Sequence, residues 1–258
     1  TNIRQIRSIP LAAPFDKAGL HQIEIRGEVV MHKDFFAAFN EQRTKEGLQP
    51  LANPRNAAAG TLRMLNPDEV RKRRLAAIVY HVSDYTAESG TTVPAPLNTH
   101  YDTLQWLYDL GFSTPVREMK KCSTIEEVID FCTTFEARRD DLPYELDGLV
   151  IKVNSIALQE QMGMTAHHPR WAVAYKFKAR QATSKLERVE FQVGRTGTIT
   201  PVAKITPVPL AGVTISSVSL FNEDNVREKD LRIGDTVLVE RAGDVIPYIV
   251  KSMPELRD

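Results

Sequence analysis

The sequence predicts an α+β fold in two parts: a mixed helix–strand part, then a small all-β part. Three observations carry that expectation. Segments that alternate apolar and polar residues, 23–31 among them, are interleaved with stretches of helical periodicity opened by Asn-Pro and Ser caps. From about residue 186 the helical pattern nearly vanishes, and β-branched runs alternate with turn signals at Gly194, Gly197, Gly212, Gly234-Asp235 and Gly243-Asp244. With 258 residues, 42% of them hydrophobic, the chain is long enough for one large domain or two modest ones, each with a core.

The elements follow in order. Residues 23–31 read as a half-buried strand, and a helix with Phe35, Phe36 and Phe39 on its inner face follows, ending near Gly47. Asn53-Pro54 supplies a cap and a proline at the first helical position, opening a helix through Ala57, Ala58 and Ala59. Asn66-Pro67 repeats the signal for a short basic helix ending near Arg74, and 76–83 read as a strand. Residues 86–97 are rich in Ser, Thr and Pro and suggest a surface loop. Two helices come next: one carries Leu104, Leu107 and Leu110 and stops at Gly111, and the other opens with a Ser123-x-x-Glu126 capping box. Strands at 146–153 and 171–177 flank a Ser155-capped helix ending near Gly163. The all-β remainder has the size of an OB-type barrel.

Composition excludes several classes. No apolar run approaches the roughly 20 residues that span a bilayer, and no signal peptide is visible, so a cytoplasmic protein without membrane attachment is expected. The 33 basic and 33 acidic residues balance, so any nucleic-acid binding must come from local patches. Cys122 and Cys132 have neither zinc nor redox spacing; Cys132 falls in phase with Ile125, Val128, Ile129 and Phe135, as a buried thiol would. The six histidines form no ligand pair, and His167-His168 reads as a loop. The chain has no initiator Met, and Ile3, Ile6 and Ile9 already look like part of a fold, so we read it as a fragment.

Three strands and one helix place charge where a structural role does not require it. In 23–29, Glu24, Arg26 and Glu28 share one face, a pattern that suits a solvated sheet as well as a site. In 171–177, Ala172, Ala174 and Lys176 share a face opposite Trp171, Val173, Tyr175 and Phe177. Two alanines beside a lysine leave room for a planar base and its phosphate, or for a packed helix. In 147–154, Gly148, Val150 and Lys152 share a face; a lysine there is either an edge-strand gatekeeper or a second cation for a shared anion. Arg55, Ala59 and Arg63 form one helical stripe, solvated or directed at phosphates.

Together these segments resemble the NAD-dependent DNA ligase family. The matching motifs are Arg26-Gly-Glu-Val29, Ala52-Asn-Pro-Arg-Asn-Ala-Ala-Ala-Gly-Thr-Leu-Arg63, Leu146-Asp-Gly-Leu-Val-Ile-Lys-Val153, Pro169-Arg-Trp-Ala-Val-Ala-Tyr-Lys-Phe177, Val193-Gly-Arg-Thr-Gly-Thr-Ile-Thr-Pro201 and Arg241-Ala-Gly-Asp-Val-Ile-Pro247. The resemblance implies a nucleotidyltransferase (ATP-grasp-like ligase) domain over residues 1–182, its C-terminal major part, with antiparallel sheets and helices. Residues 183–258 would be the OB-fold barrel.

It also implies a reaction. A lysine attacks the α-phosphate of NAD and releases nicotinamide mononucleotide. The AMP then passes to the 5′-phosphate of a nick, and the 3′-hydroxyl displaces it, sealing double-stranded DNA in replication and repair. By the same resemblance Glu28, Lys152 and Lys176 line the nucleotide pocket, with Lys152 and Lys176 as catalytic candidates. Asp147 takes an orienting or metal-linked role. Arg55, Arg63, Arg195 and Arg241 approach the DNA backbone, and Val245 and Ile246 the minor groove. Mg2+ or Mn2+ would assist, while Zn2+ would belong to a region outside this chain; the enzyme would act as a monomer. The family's Lys-x-Asp-Gly nucleophile motif is absent from this chain, and Phe221 stands where family members usually carry histidine. Alternatives are an ATP-dependent polynucleotide ligase or capping-type nucleotidyltransferase, and a non-catalytic DNA-binding remnant.

Overall fold

A computed structural model describes residues 2–87, 94–210, 212–242 and 246–257. The chain divides into two compact units, Thr1–Lys176 and Phe177–Asp258.

The first unit is built on two antiparallel ribbons. Strand β1 (Leu20–Val30) pairs with β2 (Ala76–Ala87), and β3 (Gly148–Lys152) pairs with β4 (Ala172–Lys176). Helices α1 (Lys33–Lys45), α2 (Pro54–Leu62) and α3 (Pro67–Lys72) fill the connection from β1 to β2. Helices α4 (His100–Asp109) and α5 (Ile125–Ala137) precede β3, and α6 (Ile156–Met162) joins β3 to β4. The caps form as their residue types require. The Asn53 and Asn66 side chains accept from the backbone N–H groups of Asn56 (2.7 Å) and Asp68 (2.9 Å), each followed by proline at the first helical position. Helix α2 buries Ala57 and Ala58 in a core with Ile6, Met31, Val70 and Ala77; Val79, Leu104, Leu107 and Phe112 make a second core under α4.

Three local expectations are corrected. Strand β2 runs on to Ala87, and the 3-10 turn Ala95–Asn98 buries Leu97, so the segment expected as a surface loop is partly ordered structure; residues 88–93 lie outside the described ones. The α5 capping box sits one residue later than expected. Thr124 accepts from the Glu127 N–H, and the Glu127 carboxylate accepts from the Ser123 N–H. On α5 the buried side chains are Cys132 and Phe135, whereas Ile125 and Ile129 are exposed. The buried stripe runs through Val128, Phe131 and Cys132 to Phe135, leaving those two isoleucines off it.

The second unit is a five-stranded antiparallel sheet, in the order β7 (Val213–Ser219), β6 (Ile199–Leu210), β5 (Gln181–Val193), β8 (Thr236–Ala242), β9 (Ile246–Ser252). Strand β5 changes partners midway: its first part pairs with β8, and from Leu186 onward it pairs with β6. The outer strands β7 and β9 touch, so the sheet curls closed around Leu186, Ala203, Ile205, Val218, Val237 and Val239. This is the expected small all-β barrel, and with the first unit it gives the expected α+β chain. A six-residue helix α7 (Glu223–Glu228), capped by Asn222, interrupts it; it is too short to show as periodicity. Among the described residues no helix is long and apolar enough to cross a membrane.

Candidate functional site

The β3–β4 register decides what the two strand lysines can do. Gly148 lies opposite Lys176, Val150 opposite Ala174, and Lys152 opposite Ala172. Directly opposed residues of an antiparallel pair project to the same face. Lys152 and Lys176 therefore share one face, with Gly148, Ala172 and Ala174 contributing almost no side-chain bulk. Val150 and Ala174 are exposed, so the face is open. Four residues of strand, about 13 Å, separate the lysines along it.

At one end the Lys176 Nζ lies 3.0 Å from the Asp147 Oδ2, and the Arg55 Nη2 on α2 lies 3.8 Å from the same oxygen. Asp147 thus holds cations from two elements. The glycine beside it makes the approach possible. A Cβ on Gly148 would collide with the Tyr175 carbonyl and come within 3.1 Å of the Lys176 Cα.

At the other end Lys152 is half-buried. Its Nζ donates to the Tyr80 carbonyl (3.2 Å) and to the His100 Nε2 (3.1 Å), and it lies 5.4 Å from the Tyr80 ring centroid. Strand register frees that carbonyl. Pairing jumps from Arg26 opposite His81 to Gly27 opposite Val79, so Tyr80 has no partner residue on β1. Donation by an ammonium requires His100 to be neutral, with its proton on Nδ1. Burial, and then the charges of Lys152 and His81, push the His100 pKa down to about 3. Burial pushes Lys152 down to about 8. His81, with ring centroids 5.9 Å from His100 and 5.8 Å from Trp171, is likewise lowered, first by burial. The His100 N–H donates to the Asn154 carbonyl (2.8 Å), which fixes the start of α4 against the end of β3. Sequence reasoning missed His100, His81 and Tyr80, since contacts 52 and 72 residues apart leave no local signal.

The remaining candidates are dispersed. Glu28 is exposed on β1 opposite Ile78 and has no ion-pair partner among the described residues. Arg55 and Arg63 are exposed; Arg63 is the C-cap of α2, and its Nε lies 3.3 Å from the Ala59 carbonyl. In the second unit Arg195 is exposed in the turn between β5 and β6, closed by the Gly194 N–H to Thr198 carbonyl bond (2.8 Å) and Gly197 at φ 84°.

Arg241 is buried, unlike Arg55, Arg63 and Arg195. It lies within β8, not on a glycine turn, and is 3% exposed, with its Nη1 3.4 Å from the Leu210 carbonyl. Strand alternation explains it: Val237 and Val239 are fully buried, and Arg241 continues their parity into the interior. Ile246 opens β9 and is exposed, and Val245 lies outside the described residues. Phe221 is exposed in the left-handed region at φ 64°, just before the Asn222 cap. Among the described residues no three His, Cys, Asp or Glu side chains converge as a metal-binding group.

A family model described as the NAD-dependent DNA ligase adenylation domain matches residues 1–180. The chain belongs to the NAD-dependent DNA ligase family. The OB-fold domain of the same ligases matches residues 183–258. Proteins named DNA ligase align over nearly all of it: 57% identical in Persephonella marina, 57% in Aquifex aeolicus and 49% in Bacillus velezensis, each over 99% of this chain. The chain spans 36%, 35% and 36% of those relatives. The family assignment to the NAD-dependent branch weighs against the ATP-dependent reading.

Proposed function

We propose that this chain carries most of the nucleotide pocket and part of the DNA surface of an enzyme that seals nicks in double-stranded DNA, with NAD as the source of AMP. The observation that carries the reading is the single open face of β3–β4, with a lysine at each end and only alanines, a glycine and Val150 between. A purine nucleotide needs a flat, uncrowded surface and cations for its phosphate, and this face offers both. Lys176 is the group suited to charge building on the α-phosphate, because it is exposed and its partner Asp147 can be displaced. Lys152 and Glu28 complete the nucleotide contacts, with the Glu28 carboxylate accepting from ribose hydroxyls. Arg55, Arg63 and Arg195, all exposed, suit the DNA backbone, and Ile246 suits the minor groove. A divalent ion would rest on substrate phosphate oxygens and at most the Asp147 carboxylate. The Lys-x-Asp-Gly motif that supplies the family's nucleophile does not occur in these 258 residues.

The chain by itself is therefore expected to bind nucleotide without bonding to it. Incubation with labelled NAD, followed by denaturing electrophoresis, should leave the chain unlabelled. The full gene product should take label from NAD but not from ATP and then seal a nicked duplex. A stoichiometric AMP adduct on this chain, or an ATP-driven full-length enzyme, would overturn the reading.

A further inference from the structure

Away from the β3–β4 face, α1 and α3 enclose a groove of about 620 Å³. Its lining includes Phe35 and Phe39 on α1, with Arg7, Arg71, Lys72 and Arg74 around them. The two rings stack at 5.7 Å and form a platform on which guanidinium groups rest. Arg74 lies 5.8 Å from the Phe35 centroid, and Arg73 and Arg43 lie 5.4 Å and 5.9 Å from that of Phe39.

Charge in this groove is only partly compensated. Arg71 pairs with Asp68 at 2.9 Å and Lys72 with Glu69 at 2.7 Å. Arg7 and Arg74 of the lining, and Arg43 and Arg73 beside it, have no carboxylate within ion-pair distance among the described residues; Arg73 donates instead to the Thr61 hydroxyl (3.2 Å). The Arg73 guanidinium is held below its ordinary pKa, first by burial and next by the charge of Arg43. With the ring faces already covered by guanidinium groups, the groove does not offer stacking for bases; it offers an array of planar donors.

Backbone conformation adds an independent observation. Arg74 follows the C-cap of α3 at φ 44°, in the left-handed region where helices usually place glycine. A residue with a side chain is disfavoured there, so glycine would suit the fold better. Yet the position holds the arginine whose guanidinium lines the groove.

We propose that this groove binds the phosphodiester backbone of duplex DNA, at a place separate from the nucleotide face. The assignment rests on the reading of the chain as a DNA-acting protein. Phosphate suits the groove because planar guanidinium groups grip its oxygens in pairs, and the lining brings three arginines and a lysine together, of which Arg7 and Arg74 lack a carboxylate partner among the described residues.

The test uses Arg74→Gly and the double variant Arg7→Gln/Arg74→Gly in this chain, with a labelled un-nicked 24-bp duplex. Binding is titrated between 50 and 200 mM salt, and unfolding is followed in parallel. The denaturation midpoint of Arg74→Gly should equal or exceed that of the unaltered chain, since glycine removes the strain. Duplex binding should weaken, and the slope of log K against log salt should become shallower by about 0.9 for the single variant and about 1.8 for the double. A lower midpoint would overturn the proposal by showing that Arg74 braces the fold, and an unchanged slope would overturn it by removing the phosphate contact. Equal competition by polyglutamate would replace DNA with an acidic peptide. Failure of the unaltered chain to bind duplex at all would remove the DNA-acting reading along with the groove.

Discussion

Lys152 offers the sharpest test of the site, because its electrostatics and its packing predict opposite signs for stability and binding. Replacing it with methionine keeps the length of the chain, removes the charge and leaves the Tyr80 carbonyl and His100 Nε2 without their donor. The fall from an ordinary 10.5 to about 8 corresponds to on the order of 3 kcal/mol against the buried ammonium. Losing the donor to the Tyr80 carbonyl and His100 Nε2 offsets part of that figure in the methionine variant, so about 1–3 kcal/mol is expected. The sign follows from proton counting. Below pH 8 both folded and unfolded chains carry the charge, and the penalty is present in full. Between about 8 and 10.5 the folded lysine is neutral while the unfolded one is still charged, so stability rises with pH. Above 10.5 the penalty is gone.

Lys152→Met should therefore match or exceed the unaltered chain in stability at pH 7, and this advantage should fade by about 1–3 kcal/mol as pH approaches 10. Nucleotide binding should fall at pH 7 and fall less near pH 10, where the lysine of the unaltered chain is already neutral. Both tryptophans, Trp106 and Trp171, lie in the first unit, so their fluorescence in a urea titration reports that unit alone. The quantity to read is the difference between the two proteins, which cancels other groups titrating near pH 10. A difference that stays constant from pH 7 to 10 would refute the buried-ammonium argument.

Gly148→Ala should lower first-unit stability by about 1–3 kcal/mol, because the Tyr175 carbonyl must move to admit a Cβ; an unchanged urea midpoint would mean that β4 yields freely. Arg257→Met should lower the melting temperature of the barrel by calorimetry, since Asp235 is 3% exposed and takes two bonds from Arg257, at 2.7 and 2.8 Å. Hydrogen bonding to Arg257 lowers the Asp235 pKa, so this stability is present above the usual carboxylate range and lost as pH falls through the lowered value; the variant should lose that acid dependence. Arg195→Ala should leave the barrel's melting unchanged and make the salt slope of duplex binding shallower by about 1, whereas Arg241→Ala should reduce stability first, having removed a buried side chain. Equal melting of Arg241→Ala and the unaltered chain would contradict its burial.

Local chemistry made much of the fold legible. Asn53-Pro54, Asn66-Pro67 and Ser155 all cap helices where the sequence places them, because a cap bonds within three residues of itself. The small-residue faces of β3 and β4 were legible for the same reason: parity in a strand is local. What was not legible is everything that depends on register. Nothing near Lys176 in sequence names Asp147 as its partner, 29 residues away, and nothing near Lys152 names His100 or the bulge that frees the Tyr80 carbonyl. The burial of Arg241 was legible in the same local way as the strand faces, since the parity of Val237 and Val239 along β8 directs it inward.

The two lysines on the β3–β4 face stand in contrasting environments, and the contrast suits a site that must be stable when empty. The Lys176 side chain is 65% exposed, and its pair with Asp147 is open to water and salt, worth about 1 kcal/mol or less. Breaking that pair to accept a phosphate costs little, and Arg55, already 3.8 Å from the same carboxylate, stands ready as a second cation. Lys152 is held by neutral acceptors only, so its charge is uncompensated in the empty protein. On the proposed nucleotide reading, an anion arriving there would remove an existing penalty and make a new bond at once. Binding energy would then be concentrated at Lys152, while Lys176 would stay loosely held and free to follow charge as it moves on a phosphate. Asp147 would keep Arg55 in place until substrate displaced it.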